Sequence, residues 1–193
     1  MEFNNLHSLK GYFDTRRSGR PREMVEPAPN DNELREMCAA AMRTPDHGKL
    51  SPWRFIIVPS HGRDRFKQIL SDAFIANNPD ARDGQISAAI NMADHAPSLV
   101  ILVHSLKPHA SIPAWEQMLS TGAVGMNLLH AVHIRGYVGS WITGWAAYDE
   151  AVRVAFCKDE ERIAGFFFLG SPGEKLQERP RPDVDDLISY WPE

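Results

Sequence analysis

Four arginines fall within seven residues in Arg16-Arg17-Ser18-Gly19-Arg20-Pro21-Arg22. From Lys10 to Arg22 there are five bases and one acid, Asp14. Guanidinium forks match phosphate oxygens in pairs, and Ser18 adds a hydroxyl or backbone donor, so the run has the chemistry of a phosphate receptor. A solvated helix C-terminus favours the same charges, and the pattern alone leaves both readings open.

A second concentration of hydrogen-bonding groups is the Pro- and Gly-constrained loop Arg43-Thr44-Pro45-Asp46-His47-Gly48-Lys49-Leu50-Ser51-Pro52, which leads into Trp53-Arg54-Phe55. Loops held between rigid elements are good places for ligand contacts. His47 has the chemistry of an acid or base, a metal ligand, or a donor to a ligand oxygen. No second His or Cys stands nearby at ligand spacing, so no metal is expected there. A surface turn with a structural histidine is the alternative. The third stretch is Gly136, Gly139 and Gly144 around Ser140-Trp141-Ile142-Thr143 and Trp145. It is not a dinucleotide fingerprint. Its glycines would let backbone amides approach a phosphate or ring edge. Its tryptophans would either wall a ring site or fill the core.

His130 and His133 are neighbours on one helix, without the Glu of a zinc-protease motif. Glu116 is explained by favourable placement at a helix N-terminus. GxSxG, Walker and CxxC motifs are all missing, and no side chain stands out as a catalytic nucleophile.

These residues need elements to hold them. The spacing predicts a first helix capped by Asn5, with Leu6, Leu9 and Phe13 on one face. Asn30 and Glu33 form a capping-box pattern for a second helix through Leu34, Met37, Cys38 and Ala41. Strands are expected at Trp53–Val58, Leu99–His104, Tyr137–Trp141 and Ile163–Leu169, the second of them interior. Helices are expected over Arg63–Ala76, Gln85–His95, Pro113–Arg135 and Asp149–Cys157. The Pro113 helix carries small residues from Thr121 to Asn127, which allow close approach of a backbone or flat ligand. Gly136 closes it. The proline-rich tail is extended, with a terminal strand expected at Leu187–Tyr190. About six helices and four or five strands give one α+β domain. A tail this long is costly to order unless it lies on something, and a partner subunit is one solution.

The 193 residues are 43% hydrophobic and 24% charged, the range of a folded domain. A net charge of -4 argues against a protein that lives on nucleic-acid backbone. No stretch approaches the ~18 apolar residues of a membrane span. Met1–Lys10 lacks a basic segment followed by an apolar run, so no signal peptide and a cytoplasmic location are expected. Cys38 and Cys157 are too few for a disulfide scaffold.

In order, Arg16-Arg17-Ser18, Glu26-Pro27-Ala28-Pro29, Met42–Phe55, Ala96-Pro97, Trp115-Glu116-Gln117, Gly136–Gly144 and Phe168-Leu169-Gly170-Ser171-Pro172 resemble the nitroreductase family, and within it the short, minimal NAD(P)H nitroreductases. The resemblance covers about residues 3–190. It implies an α+β fold with a central, mostly antiparallel sheet flanked by helices. It also implies one domain over 1–193, whose arm 171–193 wraps the partner of a homodimer. One FMN would lie in each of two interface clefts. Arg16, Arg17 and Ser18 would contact its phosphate and its ribityl or ring edge. Arg43 and His47 would reach it from the partner subunit. Ser140, Trp141 and Ile142 would lie against the flavin, and Gly170 near the phosphate side. Trp115 and the Thr121–Asn127 helix would form the interface or a pocket wall.

The activity implied is ping-pong electron transfer from NAD(P)H to a nitroaromatic, quinone or similar small acceptor. No catalytic side chain is required, because the cofactor carries the hard chemistry. One departure stands out: where a minimal relative has Arg after the tryptophan, this chain has Ile142, which leaves the choice between NADH and NADPH open. The alternatives are another redox reaction on the same fold, an FMN-binding module without turnover, and an interaction domain without cofactor.

Overall fold

The computed structural model describes residues 2–192, so Met1 and Glu193 lie outside it. The helices are α1 (Leu9–Thr15), α2 (Asp31–Ala41), α3 (Arg63–Asn77), α4 (Asp83–Ile90), α5 (Ala114–His133) and α6 (Glu150–Phe156). The strands are β1 (Met24–Val25), β2 (Trp53–Val58), β3 (Ser98–Ser105), β4 (Val138–Ile142) and β5 (Glu161–Pro172). All strand pairings are antiparallel, in the order β1-β5-β3-β2, with β4 also on β5.

Strand β3 explains the architecture. Every one of its residues is buried, as its nearly continuous apolar run requires. Successive side chains point to opposite faces. Leu99, Ile101 and Val103 join Phe166 and Phe168 of β5 in one core with Phe66 and Leu70 of α3 and Val152 of α6. Val100 and Leu102 join Phe167 and Leu169 in a second core with Leu34 and Met37 of α2 and Val124, Leu128 and Val132 of α5. The sheet is thus sandwiched between two helical layers. Burying each phenylalanine of the Phe166–Phe168 run contributes about 1.5–3 kcal/mol.

Helix α2 begins at the expected capping box: Glu33 N donates to Asn30 Oδ1 at 3.0 Å, and Asn30 N to Glu33 Oε2 at 2.9 Å. Helix α5 ends three residues before Gly136, whose φ of +83° suits glycine. Arg54 of β2 clamps Glu161 at the start of β5, with Nε 2.9 Å from Oε1 and 3.1 Å from Oε2. Both cysteines are free, and burial pushes the Cys38 thiol up to about 11.

Three expectations are corrected. Helix α1 is capped by Ser8 rather than Asn5, and its inward residue is Tyr12. Leu9 and Phe13 are 80% and 65% exposed, so the stripe of Leu6, Leu9 and Phe13 is an outward face. The segment Gln85–His95 is two elements, because after Ile90 the chain tightens into a single turn over Asn91–Asp94. The tail has no strand at Leu187–Tyr190; Leu187 and Ile188 N instead donate to Val184 O in a turn. Three prolines and three acids over residues 180–192 work against a pleated ladder.

Candidate functional site

The arginine run begins where α1 stops. Arg16 leaves the helix with ψ of 127°. Asn4 then grips both edges of the next residue: its Nδ2 donates to Arg17 O at 3.0 Å, and Arg17 N donates to its Oδ1 at 2.8 Å. Arg17 is only 7% exposed. Its Nε donates to Gln177 O at 2.7 Å and its Nη1 to Ser18 O at 3.3 Å. Arg16 Nη1 reaches Ser18 Oγ at 3.4 Å. Arg16, Arg17 and Ser18 are therefore brought together, as the sequence suggested.

The structure adds two residues that sequence reasoning missed. The tail folds back over α1, and Arg181 Nη2 donates to Arg16 O at 3.5 Å. The Arg17 pKa is lowered, first by burial and then by the charges of Arg179, Arg181 and Arg16; Glu178 alone opposes them. A signal was present, because Arg179-Pro180-Arg181 repeats the Arg20-Pro21-Arg22 pattern. The charges of Arg16, Arg179 and Arg181 thus act on Arg17 against that of Glu178, which Arg181 Nη2 meets at 3.2 Å, within a chain of charge -4. This donor set fits the phosphate of FMN, a dianion that would relieve the repulsion among its holders.

The loop over residues 43–52 is bolted to α5. Ser120 Oγ donates to Pro45 O at 2.6 Å, Asn127 Nδ2 to Thr44 Oγ1 at 2.6 Å, and Thr121 Oγ1 to Pro52 O at 3.0 Å. Gly48, Lys49 and Ser51 all have positive φ, at 71°, 57° and 50°. Such conformations persist only where the surroundings over-determine them. The loop presents Arg43 outward, and its guanidinium has no side-chain partner among the described residues. His47 Nδ1 lies 2.7 Å from Glu116 Oε2 at the first turn of α5. The other end of α5 carries His130 and His133, which face Tyr12 and Arg16. Glu116 and His130 are separated by ~21 Å of helix at 1.5 Å per residue. Within one chain, His47 is therefore not brought to Arg16–Ser18, whereas the Arg43 carbonyl accepts from Asn127 Nδ2 at 3.4 Å, one turn before His130.

The β4 residues lie deeper. Ser140 is buried, and Ile142 is half-buried against the α3-side core. Trp141 donates Nε1–H to Ala164 O at 2.9 Å and stacks on Phe167 at 5.1 Å. Its indole fits because two neighbours are glycines: a Cβ on Gly125 would lie 2.8 Å from Cζ3, and one on Gly165 2.0 Å from Nε1. Gly170 allows close packing, since a Cβ there would lie 2.9 Å from Pro97 Cδ and 3.0 Å from Val25 O. Among the described residues, no three His, Cys, Asp or Glu side chains gather as metal ligands, and no helix is long and apolar enough to cross a membrane.

Known proteins resemble this chain along most of its length. The model of the nitroreductase family matches residues 14–171. The Escherichia coli protein YdjA, provisionally named an NAD(P)H nitroreductase, is 33% identical over 170 residues, which is 87% of this chain and 92% of the relative. A Haemophilus influenzae protein with the same provisional name is 33% identical over 179 residues, 91% and 95% of the two chains. Among solved structures, a nitroreductase-like family protein from Bacillus cereus superposes with a TM-score of 0.81 at 18% identity, over the whole of both chains. A variant of NfnB, an FMN- and NADPH-dependent nitroreductase from sphigopyxis sp. strain HMH, gives 0.73 at 16% identity over 94% and 97%. These likenesses carry the α+β fold, and with the family match and the YdjA relatives they place the chain in the nitroreductase family as an oxidoreductase of that fold.

Proposed function

We propose that two copies of this chain form an FMN-dependent oxidoreductase that takes electrons from NAD(P)H and delivers them to a nitroaromatic, quinone or similar small acceptor in a ping-pong cycle. The observation that carries this reading is the action of the Arg16, Arg179 and Arg181 charges on Arg17, next to Ser18. FMN, when bound, supplies the two-electron chemistry. The arginines hold its phosphate, and their surplus charge favours an anionic ligand over a neutral one.

The second half of the site comes from a second copy. Helix α5 leaves Trp115, Met118, Leu119, Gly122 and Met126 on its outer side, at spacings that share one helical face. Trp115 is 65% exposed, and Trp191 at the end of the tail is 94% exposed. A contiguous apolar face of this kind marks a protein contact. Two α5 helices packed antiparallel would bring Arg43 and His47 of one chain toward Arg16–Ser18 of the other. The strained loop would hold those side chains ready, and the exposed tail would wrap the partner. The glycine at the end of β4, Gly144, has φ of +58° and open space where a Cβ would be, which suits a backbone that borders a flat ring. Ile142 supplies no positive charge, so selection of NADPH over NADH would have to come from the arginines.

The test is the purified chain. It should be yellow, release FMN rather than FAD, sediment near twice the 21.7 kDa chain mass, and bleach anaerobically with a pyridine nucleotide. A colourless protein that does not take up added FMN ends the proposal.

A further inference from the structure

Where α1 meets α5, three titratable side chains form one hydrogen-bonded chain. Tyr12 Oη lies 2.7 Å from His130 Nδ1 and 3.1 Å from His133 Nδ1. One backbone donor fixes the direction of every bond. Gly139 N–H donates to His133 Nε2 at 3.3 Å, so that nitrogen carries no proton. The His133 proton is then on Nδ1 and donates to Tyr12 Oη. The Tyr12 hydroxyl in turn donates to His130 Nδ1, and the His130 proton is on Nε2. Tyr12 and His133 are buried and His130 is half-buried, with the Phe13 ring 5.3 Å from it. Arg16 is the charged group that acts on all three. Burial and the Arg16 charge lower both histidines, His133 to about 4, and burial raises Tyr12 to about 12.

Tyr12 is the buried residue of α1, and Arg16 is the first residue beyond that helix. The start of the arginine run is held from two sides, by Asn4 on the Arg17 peptide and by Tyr12 on α5. The geometry points to Tyr12, His130 and His133 as positioning residues for the anion receptor at Arg16–Ser18, in a chain whose Tyr12–His130 bond reverses when His130 Nδ1 takes a proton. That proton removes the acceptor of the Tyr12 hydroxyl, because His133 Nδ1 already carries a hydrogen. It also sets an imidazolium beside Arg16; that charge attracts an anion, so a loss of affinity on protonation reads the disturbed chain and not the added charge. The neutral chain is the holding state, present above the ordinary histidine pKa of ~6.5 and lost as pH falls through the lowered value. The inference rests on the anion-binding reading above.

The test uses the full chain and two variants. His130→Asn keeps an acceptor oxygen near the place of Nδ1 and does not titrate. Tyr12→Phe removes the centre of the chain. FMN affinity is followed by flavin fluorescence from pH 8 to 5.5, and amide hydrogen exchange of α1 is followed without FMN. Comparing each variant with wild type cancels the ionisation of the phosphate itself, whose second pKa is ~6. Wild type should lose more affinity than His130→Asn over this range. Exchange in wild-type α1 should rise in parallel, and Tyr12→Phe should bind weakly already at pH 8. Parallel affinity profiles for wild type and His130→Asn, with α1 exchange alike in both, overturn the inference. That comparison decides even if Tyr12→Phe does not fold. A folded wild type that binds no FMN at pH 8 overturns the anion site itself, and α1 exchange then tells that failure from failure of the chain.

Discussion

Arg17 Nε donates to the carbonyl oxygen of Gln177 across 2.7 Å of space and 160 residues of sequence. Arg20 repeats the link, with Nη2 3.1 Å from Gln177 Oε1. The tail is thus stitched to the end of α1 within one chain, before any partner is considered. This stitch brings Arg179 and Arg181 to the arginine run, so that their charges act on Arg17.

Removing a member of the proposed receptor should weaken FMN retention without unfolding the chain. Arg181→Ala and Arg17→Ala should each cost about 1–3 kcal/mol of binding, the range for a charged hydrogen-bond partner. The Arg17 variant should lose more, because Gln177 also comes free. Arg17→Lys should restore little, since a point charge lacks the fork that meets Gln177 O and Ser18 O together. Titration of apoprotein with FMN checks the order; equal affinity in all three variants and wild type would remove these residues from the site.

Arg43→Ala tests the proposed sharing of the cleft, in which Arg43 of one chain meets Arg17 of the other. Each homodimer of a single variant should bind FMN weakly. Mixing Arg17→Ala with Arg43→Ala chains under exchanging conditions should rebuild one intact site per heterodimer. About a quarter of all sites then recover, since random mixing makes half the dimers mixed and each holds one unmutated site. No recovery on mixing would mean that each chain closes its own site.

Much of this was legible in the sequence where one local rule dominates. The Asn30–Glu33 capping box, the buried β3 run and the Gly136 stop each depend on residues close in the chain. The arginine run was legible as a local reversal of charge, and the pattern alone left a phosphate receptor and a solvated helix end both open. What the sequence did not show depends on long-range contact. Tyr12, not Leu9 or Phe13, faces inward because its hydroxyl has two histidines to meet 118 and 121 residues away. Trp141 read as a ring-site wall or as core, the commoner fate, and its packing turns on a glycine pair at 125 and 165 that no window around it contains. Arg179 and Arg181 were passed over because the tail read as an arm for a partner.

Stability in acid should depend on Glu161. The Arg54 guanidinium, through its side-chain hydrogen bonds, holds the buried Glu161 carboxyl down to about 2, against an ordinary value of 4.5. A depressed carboxyl contributes stability that is present above its unfolded pKa and is lost as pH falls through the folded one. That contribution, on the order of 3 kcal/mol, should therefore disappear between about pH 4.5 and 2. Glu161→Gln should be less stable than wild type at pH 7 and show a flatter fall over this window. Urea unfolding at a series of pH values checks it; curves that stay parallel down to pH 2 would dismiss the clamp as a source of stability.

The closest approach to a glycine among the described residues gives the last expectation. Gly165 sits on β5 with Trp141 Nε1 where its Cβ would be, 2.0 Å away, and with Cδ1 at 2.3 Å. Gly165→Ala must push the indole aside, which breaks its bond to Ala164 O and disturbs the stacking on Phe167. The cost combines overpacking, about 1–3 kcal/mol, with a stranded indole N–H of similar size. Because β4 carries Trp141, its hold on β5 should loosen, and fluorescence should shift to the red as the indole meets water. Gly84→Ala is the control: it lies in α4, nothing stands within 4 Å of a Cβ there, and φ is not positive. That change should stabilise by about 0.4–1 kcal/mol through the unfolded chain alone. Thermal unfolding of the pair should move in opposite directions, and a Gly165→Ala protein as stable as wild type would mean that the indole has room the structure denies it.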